Sequence, residues 1–301
     1  MPYTDYNQVL QDIADNIREV NGTTDPIRFV DMPDLISGFI GPSISLYGET
    51  IGGINPLSLA YNYASSWKRK LIPHIGSTSG MTNMKNMLMY INQPDDPLDL
   101  SLFDTSDVTN MSYMLAGTKA SSVDLSSFDT SNVTDISYMF AEMRLTSTNA
   151  TLDLSHFDTS KVTNMAHTFY RFGCLSTASI ALDVTGWDVS KVTDFRSCFS
   201  LDPYQAFGGN SITELDLSGW DTSSASDMIS MFGGSFLRKI WVPSTFVSDR
   251  CPAERKPFRV APRNTCHIYT DASSASAQGW SPIVTPFVPH YNSTHEDYEN
   301  A

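Results

Sequence analysis

The chain is short of cysteine, of charge and of long apolar runs, and each shortage removes a class of protein. Four cysteines in 301 residues are too few for a disulfide framework, and none has the spacing of metal ligands. Cys174 and Cys198 fall in or beside repeats at non-equivalent positions. Cys251 and Cys266 flank a basic, Pro-containing loop, so their pairing stays open. Free thiols are the default for a chain kept in a reducing cytoplasm. Lys and Arg number 19 against 33 Asp and Glu, a formal charge of −14. With no basic patch to displace counterions, nucleic acid is excluded as a partner, and an anionic membrane surface is disfavoured. No apolar stretch approaches a membrane span. Met1 to Val20 has neither a basic leader nor a continuous apolar run, so no secretion signal is expected. The six histidines, His74, His156, His167, His267, His290 and His295, enter no Ser-His-Asp, G-x-S-x-G or H-E-x-x-H pattern. The expectation is a protein without enzymatic activity, cofactor or metal.

What the chain does have is one phrase repeated five times. Its cleanest copy is VDLSSFDTSNVTDISYMF, from Val123 to Phe140. The other copies start at Leu98, Leu152, Leu182 and Leu215, giving spacings of 25, 29, 30 and 33 residues. A period of this size belongs to a solenoid, in which each unit buries its apolar face by stacking on its neighbours. Aligned, the copies open on Leu98/Leu100, Val123/Leu125, Leu152/Leu154, Leu182/Val184 and Leu215/Leu217. An acid lies between each pair: Asp99, Asp124, Asp153, Asp183 and Asp216. This period-2 alternation predicts a short strand with the aliphatic residues inward and the acid outward. An aromatic follows at Phe103, Phe128, Phe157, Trp187 and Trp220, where stacked rings fill one corner of a core. Val-Thr-x-Met then predicts a second strand, and Ser-Tyr-Met-Phe one turn of helix. The copies close on Leu115, Phe140, Phe169, Phe199 and Phe232.

A second acid column, Asp104, Asp129, Asp158, Asp188 and Asp221, precedes Thr-Ser or Val-Ser. A carboxylate there accepts from backbone N–H groups about two residues on and holds a turn. The first column is a ladder on one exposed face. At a strand spacing of about 4.8 Å, neighbouring carboxylates repel by roughly 0.9 kcal/mol in water. It is either a solvated or hydrogen-bonded ladder, or a strip for cations or a basic ligand. It does not have the spacing of a calcium loop.

LDLSSFDTSNVT followed by DISYMF resembles the BspA-type, leucine-rich-like repeat of bacterial surface proteins, which also occurs in proteins of bacteriophages and prophages. The resemblance covers Leu98 to Phe232, with a degenerate copy ahead of it in which Thr78–Met84 aligns with Thr105–Met111. It departs from the family at Ala141-Glu142, where Gly-Cys is common. It implies a right-handed parallel solenoid serving adhesion or recognition. A truncated copy at Ile240-Trp241-Val242-Pro243 reads as a cap, with Trp in place of the outward acid and Pro ending the pairing.

Ahead of the repeats, Tyr6, Leu10, Ile13, Ile17 and Val20 recur at steps of four and three, the seam of a short coiled coil or helical bundle. Asp5 caps that helix, Asn21-Gly22 ends it, and Asp31 with Pro33 starts a second. Residues 4–40 resemble an N-terminal module of phage and prophage structural proteins. That implies attachment to other virion proteins and a homo-oligomer, with a trimer favoured.

The fold expected is a mainly β repeat solenoid, leucine-rich-repeat-like with parallel strands and short helical turns, preceded by a small N-terminal helical hairpin. Its parts are a helical anchoring module at 1–43, a cap with the degenerate repeat at 44–97, the five-repeat solenoid at 98–239, a C-terminal cap at 240–280 and an acidic, Pro/Ser-containing tail at 281–301, mobile or partner-bound. The connection after each closing residue lengthens along the chain, from Ala116–Ser122 to Ser200–Glu214. Insertions at one phase of a solenoid emerge on one face. Arg144, Arg171, Phe172, Tyr204, Gln205 and Phe207 lie in these connections and are the candidate contacts to a host-surface glycan or protein. Arg250, Arg255, Lys256, Arg259 and Arg263 form a basic stretch suited to an acidic partner, and Cys266–Thr270 reads as a last strand. The functional expectation is a phage virion protein, of tail-fibre, baseplate or head-fibre kind, attaching to the host surface. A bacterial surface adhesin and an internal virion protein without a receptor are the alternatives.

Overall fold

The computed structural model describes residues 78–93, 95–101, 103–147, 152–173, 182–201, 212–281 and 283–301. The N-terminal seam from Tyr6 to Val20 lies outside them, as do Tyr204, Gln205 and Phe207. Within them the chain is a parallel β-solenoid, as the repeats predicted. Strands β1 (Asn92–Gln93), β3 (Lys119–Ala120) and β5 (Arg144–Leu145) form one parallel sheet. Strands β2 (Leu98–Asp99) and β4 (Val123–Asp124) pair in register, Leu98 with Val123 and Asp99 with Asp124. A four-stranded parallel sheet follows, of β6 (Glu214–Asp216), β7 (Lys239–Trp241), β8 (Cys266–Tyr269) and β9 (Phe287–His290).

The repeat columns become the layers of the core. The closing rings stack along the axis, with centroids 5.4 Å apart for Phe140–Phe169, 5.5 Å for Phe169–Phe199 and 6.0 Å for Phe199–Phe232. Each lies within the offset-stacking range of aromatic pairs. The other aromatic column runs beside it, and two of its members find hydrogen-bond acceptors as well. Trp187 Nε1 donates to Leu154 O and Trp220 Nε1 to Val184 O.

Polar residues build the corners. In the first acid column, Asp99, Asp124, Asp153, Asp183 and Asp216 each accept through Oδ1 from the backbone N–H two residues on, at 2.8–3.0 Å. The second column, Asp104, Asp129, Asp158, Asp188 and Asp221, does the same at 2.9–3.1 Å, as expected of it. A third column was not foreseen. Asn83, Asn110, Asp135, Asn164, Asp194 and Asp227 bridge successive coils in parallel, and each accepts from its own i+2 N–H. A complete coil therefore has three corners, each held by a local Asx turn.

Between coils the ties come from threonine. Thr105 is buried; its Oγ1 donates to Asp129 O at 2.9 Å and accepts from Asp129 N at 2.8 Å. Thr78, Thr130 and Thr159 donate in the same way to Asp104, Asp158 and Asp188. Replacing Thr105 with Val keeps the shape and strands the part-buried donor and acceptor of Asp129. The expected cost is about 1–3 kcal/mol, read from chemical denaturation. An unchanged midpoint would show that the hydroxyl is dispensable. Val189 holds the equivalent place in the fourth repeat and is fully buried.

Two expectations need correction. The Ser-Tyr-Met-Phe segment is not helical. Asn86, Tyr113, Tyr138, His167, Ser197 and Ser230 all have positive φ, and so do Tyr90, Glu142 and Arg171 four residues past their counterparts. A left-handed residue in each turn breaks the helix and frees alternate N–H groups for the next coil. Thus Met139 N bonds Ile136 O within its own turn, whereas Tyr138 N and Phe140 N reach Ala166 O and Thr168 O.

The second correction concerns the C-terminus. Pairing does not stop at Trp241, since β7 continues into β8 and β9. The segment from Ser281 is not a mobile tail. It supplies β9 and then α1 (His295–Glu299), whose capping box joins Thr294 and Asp297. Helix α1 lies on the outward face of the last sheet. Tyr298 is buried there, and Lys239 Nζ stands 4.8 Å from its ring and 3.1 Å from its carbonyl oxygen. The outer edge of β9 offers no free backbone donor at Phe287 or Pro289. Cys266 N and Thr270 N bond Pro286 O and His290 O, which turns Phe287 and Pro289 away from β8. The Phe287 N–H is used by Val284 O, and proline has none.

Candidate functional site

The outer surface has four parts. On the strand face, Asp99, Asp124, Asp153 and Asp183 are exposed, each with one carboxylate oxygen held by its own turn. Hydrogen bonds from Ser101, Ser126 and Ser155 hold the carboxyls of Asp99, Asp124 and Asp153 below their ordinary value of 3.8. Asp216, the fifth rung, is covered by α1, and His295 Nε2 lies 2.6 Å from its Oδ2. Beyond it the outward column changes chemistry, to Trp241, Tyr269 and His290. Trp241 is buried, 5.2 Å edge-on from the His295 ring, and Tyr269 stacks on His290 at 4.6 Å.

A second face is a ladder of exposed hydroxyls. Thr109, Thr134, Thr163, Thr193 and Ser226 each donate through the side chain to the backbone oxygen one coil back, at 3.1–3.3 Å. At the left-handed corner, Tyr113, Tyr138 and His167 form a continuous stack with centroids 4.3 Å apart. His167 is thus half-buried and structural, and burial followed by the Arg196 charge hold its imidazole below the ordinary 6.5. The stack was hidden in the sequence because its column reads Asn, Tyr, Tyr, His, Ser, Ser.

The candidates in the lengthening connections separate. Phe172 is buried and packs edge-on against Phe169 at 5.7 Å, so it belongs to the core. Arg171 is largely buried and bonds Glu142 Oε1 at 2.8 Å. Arg144 remains on the surface, half-exposed on β5 and in register with Lys119 of β3. The basic stretch is partly spent within the chain. Arg255 pairs with the buried Asp227, which Arg196 also approaches at 3.6 Å, and Lys256 is buried with its ammonium on Ser248 O. Arg250 and Arg259 stay exposed.

The three thiols among the described residues are buried and held in the protonated form at neutral pH. Cys251 and Cys266 are both free, and burial pushes them up to about 11 and about 12. Cys198, wholly enclosed, is raised further still. Among the described residues no group of three His, Cys, Asp or Glu is placed to hold a metal ion. No helix among them is long and apolar enough to cross a membrane.

With the coils and their registers known, the comparisons have a physical meaning. A family described as "Mycoplasma protein of unknown function, DUF285" matches residues 58–172, 82–202 and 142–240. The three windows overlap because a unit of several coils fits a long stack at more than one register. Together they span more than half of the chain. The chain belongs to the DUF285 family. No curated protein and no solved structure matches it. The DUF285 windows end at residue 240, so β8, β9 and α1 lie beyond the family's repeat. That agrees with the loss of the Asp-Thr-Ser phrase after Asp221.

Proposed function

We propose that this DUF285 protein is a non-enzymatic attachment protein, presenting a rigid solenoid to a cell surface. The observation that carries this reading is the way the repeated polar residues are used. The three Asx columns and the buried Thr column are engaged in turns and coil-to-coil ties. The repeat therefore specifies a scaffold, and its variable outer positions are left for contact.

The carrier we favour is a phage virion, in a tail-fibre, baseplate or head-fibre position. The support is the heptad-like seam from Tyr6 to Val20 and the resemblance of residues 4–40 to phage structural modules. A bacterial surface adhesin is the second reading, favoured by the BspA-type repeat and the DUF285 match. Peptide mapping of purified particles against washed cell envelopes separates the two. Recovery in particles is expected, and recovery in envelopes alone would transfer the role to the adhesin. Labelled full-length protein should also bind whole cells of a susceptible strain. Failure on every strain tested would remove the attachment role.

A further inference from the structure

We propose that Lys119 and Arg144 form an anion-binding strip for an acidic polysaccharide. This deepens the attachment reading and rests on it for the source of the ligand. The two residues occupy paired positions on neighbouring parallel strands, Lys119 opposite Arg144, with Ala120 and Leu145 buried beside them. Like charges directly opposite each other on a sheet repel. Among the described residues neither side chain forms an ion pair or side-chain hydrogen bond, and the nearest acids one coil back, Asp95 and Asp96, belong to the connection after β1, where Asp96 O accepts from Ser121 N. Glu142, two residues before β5, is paired with Arg171. The connections that follow cannot supply another. Residues 148–151 and 174–181 contain no Asp or Glu. Among the described residues, Lys119 and Arg144 are partly exposed cations set side by side with no ion pair, in a chain of formal charge −14.

The surroundings suit a sugar. Gly117 precedes Lys119 by two residues, and the Tyr90 ring lies so close to it that a Cβ there would fall 2.2 Å from Tyr90 Cδ1. Tyr90 is 41 % exposed and offers apolar ring surface over Gly117, on the coil before Lys119. A guanidinium fork grips a carboxylate through two parallel N–H bonds, and the ammonium adds a point charge at the next rung. Two cations amid acid columns are too few for the dense phosphates of a nucleic acid. A polymer with regularly spaced anions gains instead from repeated engagement of many copies.

The test uses the full chain and its Lys119→Gln/Arg144→Gln variant in calorimetric titrations. The probes are polygalacturonate, a polyphosphate of matched length, and neutral dextran. Wild type should bind a polyanion and not dextran, weakening as salt rises, with at least a tenfold loss in the variant. Polygalacturonate bound in this way identifies carboxylate as the anion. Polyphosphate bound alone would assign phosphate and overturn the choice of sugar acid. An Arg250→Gln/Arg259→Gln variant should bind like wild type. Removing the repulsion should leave the melting temperature of the double variant unchanged or raised, which excludes misfolding as the cause. No binding by wild type, or binding that the double variant retains, overturns the strip. Loss of whole-cell binding with polyanion binding intact would count against the attachment reading and leave the strip standing.

Discussion

Phe169→Ala should lower stability by about 3–5 kcal/mol, the range for truncating a buried phenylalanine. The ring is almost wholly enclosed, stacked on Phe140 and Phe199, edge-on to Phe172 and 5.8 Å from Trp187. Each coil touches only its neighbours, so the loss falls on two interfaces at once. Two consequences are expected in urea: a lower midpoint, and a shallower transition as the coils on either side unfold more independently. Lys191→Ala, on the exposed side of the same region, is the comparison and should change stability by less than about 0.5 kcal/mol. Equal effects of the two substitutions would mean that the ring column does not hold the stack together.

Acid should unfold the solenoid through its turns. Hydrogen bonds from Ser106, Ser131, Ser160 and Ser190 hold Asp104, Asp129, Asp158 and Asp188 below their ordinary value of 3.8. Asp99, Asp124 and Asp153 are lowered by the same kind of bond. A carboxyl lowered on folding adds stability that is complete above its unfolded value and vanishes as pH falls through its folded value. The melting temperature should therefore be level from pH 7 to pH 5 and drop below about pH 4. Relief of mutual repulsion between acids works the other way. It is the smaller influence, since at Asp129 the Ser131 bonds outweigh the charges of Asp158 and Asp104. Asp129→Asn/Asp158→Asn supplies the control. Asn83, Asn110 and Asn164 already serve as turn acceptors, so the variant should match wild type at pH 7 and melt higher at pH 3. A variant as acid-sensitive as wild type would sink this account.

The parts of this fold legible in the sequence are those where one residue type recurs. Leu100 and Leu125 or Phe140 and Phe169 declare their layer because a core position tolerates little variety. The second acid column was legible through the Asp-Thr-Ser phrase. The third was obscured because asparagine and aspartate alternate in it, each able to accept the same N–H. The left-handed corner was misread as helix because Tyr138 and His167 are poor indicators of positive φ, a conformation usually announced by glycine. The strand at Cys266–Tyr269 was legible, but β9 and α1 escaped because Trp241, Tyr269 and His290 replace the outward acids where α1 covers the sheet. Of the surface candidates, Arg144 kept an outward position, while Phe172 and Arg171 turned inward. Lys119 went unnoticed because only register brings it beside Arg144.

The blunted strand at Phe287–His290 also bears on how such a protein changes its length. An edge short of donors is a poor place for a stack to grow by adding subunits. The stack lengthens when a coil is duplicated in its interior, where each repeat already presents the Asx corners and Thr ties that a new neighbour needs. Each duplication would extend the array by about 4.8 Å. Reach would thus be inherited as a whole number of coils, and the terminal strand would pass unaltered from short variants to long ones.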